Sequence, residues 1–156
     1  MTVFHKIADK PGFAKVVAEF IYELKQNVVY PDKFYTVAES GTDKDRDFAN
    51  IYIAYQELLR RNNLIDREGE GWLALEEVKN KPQVGQEIAH LLVDGFDQFN
   101  LLQSQLLALL ASRVQQTIIT LPQVQGREKT LGRRFTEAQQ RLTTAFGTRP
   151  LFHCGG

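Results

Sequence analysis

The strongest constraint on the fold is a short apolar segment in the second half of the chain. Residues 87–96 read EIAHLLVDGF, an apolar run that gives way to an acid at Asp94. Such a run is too short for a typical helix, and it fits a strand that is buried on both faces, as in parallel sheets covered by helices. We therefore expect a strand that ends at Val93 and is covered on both sides.

The segments that follow predict a helix, a second strand and a final helix. Residues 100–113 return to helical spacing and begin with Asn100, a favourable N-cap. Residues 114–122 are rich in β-branched residues and stop at a proline, which predicts a strand ending at Leu121. Residues 131–146 form another amphipathic segment. This order predicts a right-handed βαβ unit with parallel strands.

The first half of the chain is predicted to be helical. Residues 12–26 place apolar side chains at three- and four-residue steps, and residues 42–63 do the same, with Thr42 or Asp43 as the N-cap. Residues 68–80 predict a shorter helix that ends before a Lys-Pro step, because proline disfavours helical geometry in the residue before it.

Between the first two helices, residues 27–42 contain Pro31 and Gly41, which predict a segment that turns or runs extended. Together these patterns predict a mostly helical α/β chain. A helical subdomain would occupy residues 1–82. A partial parallel-sheet piece with the order βαβα would occupy residues 83–156.

Composition limits the classes of function. The 156 residues suit one ordinary domain, and the 19 basic and 19 acidic side chains cancel, so no overall field selects nucleic acid or an anionic membrane as a partner. The single cysteine excludes an internal disulfide framework. No export signal or spanning apolar segment is recognised. We therefore expect a soluble, cytoplasmic protein without a membrane partner.

Asp94 occupies a position at which α/β proteins often carry out chemistry. Ligands collect beyond the carboxyl ends of parallel strands, and nucleotide hydrolases of the phosphate-loop class place an aspartate there to hold magnesium. Many of them follow it with a glutamate that orients or deprotonates the attacking water, whereas this chain has Gly95. The position therefore suggests a nucleotide site, and the glycine argues against hydrolysis.

Residues 90–111, HLLVDGFDQFNLLQSQLLALLA, resemble the Walker B region of UvrD/Rep-type superfamily I DNA helicases. That pattern is an apolar strand, Asp-Glu-Phe-Gln-Asp-Thr, and a helix that begins with an apolar-x-Gln step. Asp94, Phe96 and Gln103 match the pattern, while Gly95 replaces the glutamate. We assign Asp94, Gly95, Asp97 and Gln98 to a degenerate Walker B motif and Gln103 to the helix motif.

Upstream segments resemble the same family. Residues 51–75 are similar to its accessory helical subdomain. Residues 11–32 are similar to that subdomain in the helicase-like B subunit of AddAB-type helicase-nucleases, where a degenerate VDGF also occurs. The resemblance covers about residues 11–146. It implies a helical accessory subdomain followed by part of a phosphate-loop-like domain, in a subunit that acts in DNA double-strand-break repair and recombination.

Departures from the family pattern predict that this chain is not an enzyme. A phosphate-binding loop requires Gly, four residues, then Gly-Lys-Thr/Ser. The segment QVQGREKT supplies Lys129 and Thr130 but has Gln123 and Glu128 where the glycines belong. We therefore expect no catalytic residue, no metal site and no ATP or magnesium binding. Asp94 is expected to be structural, hydrogen-bonded to neighbouring backbone amides.

Two functions from different classes remain open. The first is a non-catalytic fragment of a helicase-like or exonuclease subunit that serves as a scaffold or contacts DNA, beside the missing helicase and nuclease domains or a partner subunit. The second is a protein-interaction or homo-oligomerisation module without DNA binding, because an exposed strand edge pairs readily with another chain. The candidate phosphate contacts, each with simple solvation as its alternative, are Arg60, Arg61, Lys129, Arg133 and Arg134.

Overall fold

The computed structural model describes residues 3–122 and 131–147, and these residues form a mostly helical α/β protein with a small parallel sheet. The predicted fold class is confirmed. The helices are α1 (Pro11–Gln26), α2 (Pro31–Glu39), α3 (Asp43–Arg61), α4 (Arg67–Asn80), α5 (Leu101–Ala111) and α6 (Leu131–Phe146), the strands are β1 (His90–Val93) and β2 (Gln116–Ile119), and a short 3-10 helix (Phe4–Lys6) precedes α1.

The chain divides into two compact units, unit 1 (Met1–Trp72) and unit 2 (Leu73–Gly156). Unit 1 contains α1, α2, α3 and the start of α4, whereas unit 2 contains both strands, α5 and α6. The predicted subdomain boundary between residues 82 and 83 stays a prediction. The phosphate-loop-like segment at residues 123–130 lies outside the described residues.

Aromatic side chains join the helices of unit 1. The ring centroid of Phe20 on α1 lies 4.6 Å from that of Phe48 on α3 and 5.5 Å from that of Phe34 on α2. Phe4 packs against the same group, with its centroid 4.9 Å from that of Phe48. These separations are typical of tilted and edge-to-face aromatic pairs. The apolar stripes predicted on α1 and α3 therefore meet in one core.

Helix α3 begins where the sequence predicts it. The Asp45 amide donates to the Thr42 hydroxyl oxygen at 3.3 Å, and the Thr42 amide donates to the Asp45 carboxylate at 2.8 Å. This reciprocal pair is a capping box, which satisfies amides that the helix itself leaves free. The first of the two candidate N-caps, Thr42, is the one that forms.

The prediction of a turning or extended segment after α1 is wrong, because Pro31–Glu39 forms helix α2. The proline is the first residue of this helix. Proline is favourable at that position, since its fixed φ suits a helix and its missing N–H has no helical acceptor there. Asp32 adds a negative charge to the first turn, where the helix dipole favours it.

Helices α1 and α3 end in the same way, with a residue in the left-handed conformation. After α1 this residue is Val28, at φ 55°, and the Val29 amide donates back to the Leu24 carbonyl at 2.9 Å. After α3 it is Asn63, at φ 50°. Both ends have the geometry of a Schellman motif. A β-branched valine is unfavourable there, whereas asparagine is tolerated.

The sheet in unit 2 confirms the predicted parallel pairing. Leu92 of β1 lies opposite Ile118 of β2, and the connection between the strands contains α5. On one face, Val93 packs into a core with side chains of α6 and of the segment before α5. The other members of that core are Phe99, Ala138 and Leu142, flanked by Leu91, Leu107, Ile119, Leu121 and Phe146.

The prediction that the first strand is covered on both faces is wrong. Val93 is 8% exposed, but Leu92, whose side chain points to the opposite face, is 68% exposed, and its neighbour Ile118 is 46% exposed. The difference follows from the alternation of side chains along a strand. Side chains of α5 and α6 join the core on the Val93 face, whereas Leu92 and Ile118 on the opposite face stay exposed. The apolar run therefore predicts the strand correctly but not its burial on both faces.

Arg113, just after α5, fixes the end of α4 within unit 2. Its guanidinium donates to the carbonyls of Lys81 at 3.0 Å and Val84 at 2.9 Å, and also to the carbonyl of Val78. The last carbonyls of a helix have no partner within the helix, and a cation is favourable there. Arg113 therefore ties the chain after α5 to the end of α4.

Candidate functional site

The carboxyl ends of the two strands bring Asp94 and Thr120 together. The Thr120 amide donates to the Val93 carbonyl at 2.9 Å, which extends the pairing beyond β2. The Thr120 hydroxyl then donates to Oδ1 of Asp94. Both residues are exposed. Asp94 thus lies at the strand end that the sequence indicates, with a neighbouring side chain as its hydrogen-bond donor.

Gly95 gives the degenerate Walker B motif its backbone shape. Its φ is 82°, in the left-handed region that side chains with a Cβ disfavour. The next residue, Phe96, stacks on the buried Phe99, with ring centroids 5.4 Å apart and planes 18° apart. A glutamate at position 95 would be strained at this φ. The glycine that replaces the glutamate of the family pattern therefore allows this backbone conformation.

Asp97 is held by an arginine of α6. Nη1 of Arg134 lies 2.7 Å from Oδ2 of Asp97, and both side chains are about half exposed, at 55% and 44%. The structure therefore brings one predicted phosphate contact, Arg134, onto an acid of the degenerate motif. Gln98 lies between Asp97 and the buried Phe99 and is itself exposed.

Gln103 contributes to the start of α5. The backbone amide of Gln103 donates to Oδ1 of Asn100 at 2.8 Å, and the Gln103 side-chain oxygen accepts from the backbone amide of Asn100 at 3.0 Å. This arrangement is a second capping box, with glutamine in the role usually taken by glutamate. The predicted N-cap Asn100 is confirmed, and Gln103 has a structural task in the helix itself.

Three of the four remaining candidate phosphate contacts face an acid on their own helix. Arg60 and Arg61, in unit 1, lie 3.4 Å and 3.1 Å from carboxylate oxygens of Glu57. Arg133 lies 2.8 Å from Glu137, and the hydrogen bond to this acid, together with its charge, raises the pKa of the Arg133 guanidinium. Lys129 lies outside the described residues.

A buried ionic network in unit 1 was missed by the sequence reasoning. Lys25 is 1% exposed, and its Nζ lies 2.5 Å from Oδ1 of Asp66 and 4.9 Å from the ring centroid of Trp72. Asp66 also accepts from the Tyr55 hydroxyl and the Gly69 amide, each at 2.8 Å. A buried charge is tolerated only with such partners.

The network shifts the pKa values of Asp66 and Tyr55. Burial acts to raise the pKa of Asp66, but hydrogen bonds from Lys25, Tyr55 and the Gly69 amide outweigh it and leave this pKa lowered. Burial, followed by the hydrogen bond to Asp66, raises the pKa of Tyr55 to about 12. Because these polar groups bond to one another, we infer a structural role: the network holds α1, α3 and the start of α4 together.

Residues 3–122 and 131–147 lack two features that would point to other classes of function. Across these residues, no three His, Cys, Asp or Glu side chains are grouped so that they could hold a metal ion. Likewise, none of the helices in this part of the chain is long and apolar enough to cross a membrane.

A mostly helical α/β chain with an acid at the carboxyl end of a parallel strand is the class that the helicase resemblance implies. Comparison with protein families is specific: the family described as "ADDB, N-terminal" matches residues 1–144, and the chain belongs to this family. The resemblance to the B subunit of AddAB-type helicase-nucleases is thereby confirmed.

Two curated relatives show how much of a longer protein this chain resembles. Each is named as the B subunit of an ATP-dependent helicase/deoxyribonuclease, one from Thermoanaerobacter sp. (strain X514) and one from Thermoanaerobacter pseudethanolicus (strain ATCC 33223 / 39E). Each is 30% identical over 126 residues, which cover 78% of this chain and 11% of the relative. The chain thus spans about a tenth of these relatives. No solved structure matches it significantly.

Proposed function

We propose that this chain is a non-catalytic part of a helicase-like subunit of a helicase-nuclease that acts in DNA double-strand-break repair and recombination. In this role it is a cytoplasmic scaffold that also contacts DNA. The observation that carries the proposal is Gly95, in a left-handed backbone directly after Asp94, in a chain of the AddB N-terminal family. The relatives' names describe an ATP-dependent helicase and deoxyribonuclease, which supports the setting.

The non-catalytic part of the proposal follows from the chemistry of nucleotide hydrolysis. That reaction needs phosphates and magnesium held by a phosphate loop and an aspartate, and a group that orients the attacking water. Here Asp94 accepts from Thr120, and Gly95 supplies no side chain for the water. The sequence also lacks the glycine pattern of a phosphate loop.

An ATP hydrolysis assay with magnesium tests this part. We expect phosphate release equal to that of a blank without protein, for the wild type and for Asp94→Asn alike. Magnesium-dependent turnover by the wild type that is lost in Asp94→Asn would contradict the proposal, because it would assign Asp94 a place in a working site.

The DNA-contacting part rests on Arg133 and Arg134. Both are exposed, at 82% and 55% of their side chains, and their ion pairs with Glu137 and Asp97 are surface pairs. Exposed pairs of this kind hold their partners weakly. A phosphate oxygen can therefore compete with the carboxylate for the guanidinium, which offers several donors in a fixed plane.

Fluorescence anisotropy with labelled single-stranded and duplex DNA, over a series of salt concentrations, tests the contact. We expect affinity that falls with salt and that is weaker in Arg133→Gln with Arg134→Gln. The matched control, Lys15→Gln with Lys33→Gln, removes the same charge from exposed sites in unit 1 and should bind like the wild type. No binding at low salt would remove DNA contact from the proposal and leave the scaffold role.

A protein-interaction module without DNA binding is the second candidate. It is favoured by the exposed Leu92 and Ile118 and by the acid partners of Arg60, Arg61 and Arg134. Light scattering tests its homo-oligomeric form: a clean monomer at high concentration would count against self-association.

A further inference from the structure

We propose that the uncovered face of the sheet is a docking surface for an amphipathic helix from the part of an AddB-type protein that lies outside these 156 residues. This surface, the bare face, consists of His90, Leu92, Gln116 and Ile118. The inference rests on the proposed function, since it assumes that the chain is one part of a larger subunit.

The two faces of the sheet differ sharply in cover. On the covered face Val93 is 8% exposed, whereas on the bare face Leu92 is 68% and Ile118 46% exposed. These two residues are direct partners in the register, so their side chains form one apolar patch. Parallel sheets occur almost only with both faces covered, and a two-stranded sheet is marginal by itself. Among residues 3–122 and 131–147, the bare face therefore lacks the covering element that this architecture normally has.

The geometry selects a helix as that element. A strand added to the edge of the sheet would extend the hydrogen bonding but would leave Leu92 and Ile118 exposed. A helix laid across the face covers both residues, as helices do in other parallel sheets. The four-residue strands are about 13 Å long, which a helix segment of about nine residues spans.

The polar residues at both ends of the bare face indicate what kind of helix fits it. His90 lies opposite Gln116 at one end of the sheet, and Asp94 and Thr120 follow the strands at the other end. A fitting helix thus has a short apolar stripe flanked by polar residues. The rest of an AddB-type protein is long enough to supply this helix. In the curated relatives the matched region is 11% of the chain, so about nine-tenths of each relative lies outside it.

A binding measurement tests the surface. The complete 156-residue chain is titrated against the purified relative from Thermoanaerobacter pseudethanolicus from which the matched region has been removed, once circular dichroism and a cooperative thermal transition show that this truncated relative is folded. We expect binding by the wild type, and a loss of about tenfold or more in affinity in Leu92→Lys with Ile118→Lys, because a charged side chain must be desolvated to enter an apolar contact.

The control variant is Val37→Lys with Leu58→Lys, which places the same charges at residues of unit 1 that are 70% and 60% exposed. It should bind as the wild type does. Circular dichroism and thermal unfolding of both variants check that the chain remains folded, which we expect because all four residues replaced are exposed. A photo-crosslinking residue at position 92, with mass spectrometry of the product, should place the contact on a helix of the larger protein.

Three results would overturn the inference. Wild-type affinity in Leu92→Lys with Ile118→Lys would show that binding uses another surface, and the proposed function would stand. A dimer of this chain that the same variant abolishes would identify a second copy as the occupant. Absence of binding by the wild type would also remove the docking surface, while the ATP and DNA assays would still decide the proposed function separately.

Discussion

The ionic network of unit 1 should contribute strongly to the free energy of unfolding. Lys25 is buried to 1% exposure, and Asp66 is 21% exposed. Replacing Asp66 with Asn removes the negative charge while keeping the size of the side chain. It leaves the ammonium group of Lys25 buried without a counter-charge, with the amide oxygen of the new side chain, Gln56 at 3.4 Å and the rings of Tyr55 and Trp72 as its partners.

The expected cost is large for a single substitution. Removing one partner of a buried ion pair lowers the free energy of unfolding by about 3–5 kcal/mol. Because Asp66 keeps some contact with solvent, we expect a loss of about 3 kcal/mol, at the lower end of that range. Lys25→Met keeps the apolar stem and leaves Asp66 with Tyr55 and the Gly69 amide, so its loss should be smaller, about 1 kcal/mol.

The double variant, Lys25→Met with Asp66→Asn, distinguishes an energetically coupled ion pair from two independent sets of contacts. With the buried cation gone, the neutral side chain at position 66 carries little penalty. We expect the double variant to lose about 2 kcal/mol, so that the coupling between the two positions is about 2 kcal/mol.

Urea unfolding followed by tryptophan fluorescence measures these values. The chain has a single tryptophan, Trp72, whose indole N–H donates to the Lys25 carbonyl at 2.9 Å, so the signal reports on this network. Glu57→Gln, which removes the acid of an exposed ion pair, is the control and should change little. Additive losses in the double variant, or a loss below about 1 kcal/mol in Asp66→Asn, would refute the reasoning.

The same network gives the stability of unit 1 a defined dependence on acid. The pKa of Asp66 in the folded chain lies below its ordinary value of 3.8, so the unfolded chain binds the proton more readily. The stabilisation is therefore complete well above pH 3.8 and is lost as the pH falls through the folded pKa. Below about pH 4, the wild type should lose stability more steeply than Asp66→Asn.

Three further predictions concern the backbone and helix ends, each measured as a change in the free energy of unfolding. Gly95→Ala should cost about 1–2 kcal/mol because φ is 82°, whereas Gly12→Ala, in α1 with open space around it, should stabilise slightly; equal effects would contradict the conformational argument. Arg113→Met should cost about 2 kcal/mol because it removes three hydrogen bonds to backbone carbonyls, whereas the exposed Arg67→Met should change little. A small loss in Arg113→Met would mean that water replaces the guanidinium. Asn100→Ala should cost about 1 kcal/mol, and no loss would show that the capping box is unimportant.

Local signals predicted most of the helices and strands. Thr42 and Asn100 mark helix starts because their side chains meet an amide only three residues away. Pro31 misled the prediction, since the same residue favours a turn and the first position of a helix, and neighbouring residues do not decide between them. The exposure of Leu92 is a tertiary property, because it depends on which helices return to the sheet.

The candidate site was predicted in position but not in its contacts. Asp94 follows the strand as expected, yet its partner Thr120 is 26 residues away, and Asp97 meets Arg134 across 37 residues. One signal for the buried network was present: Val17, Ile21 and Lys25 are spaced by four residues, so they share a face of α1. A lysine that continues an apolar stripe predicts a buried cation, although its acid on another element cannot be identified from spacing.

The valine at the end of α1 has a consequence for how this sequence can change. Val28 adopts a left-handed backbone that glycine or asparagine accepts more readily, as Asn63 does in the same motif after α3. Replacing Val28 with glycine or asparagine should therefore stabilise this helix end, and such a replacement needs only a few nucleotide changes. A lineage that acquired it would tolerate a harmful substitution elsewhere, so position 28 is a source of evolutionary robustness.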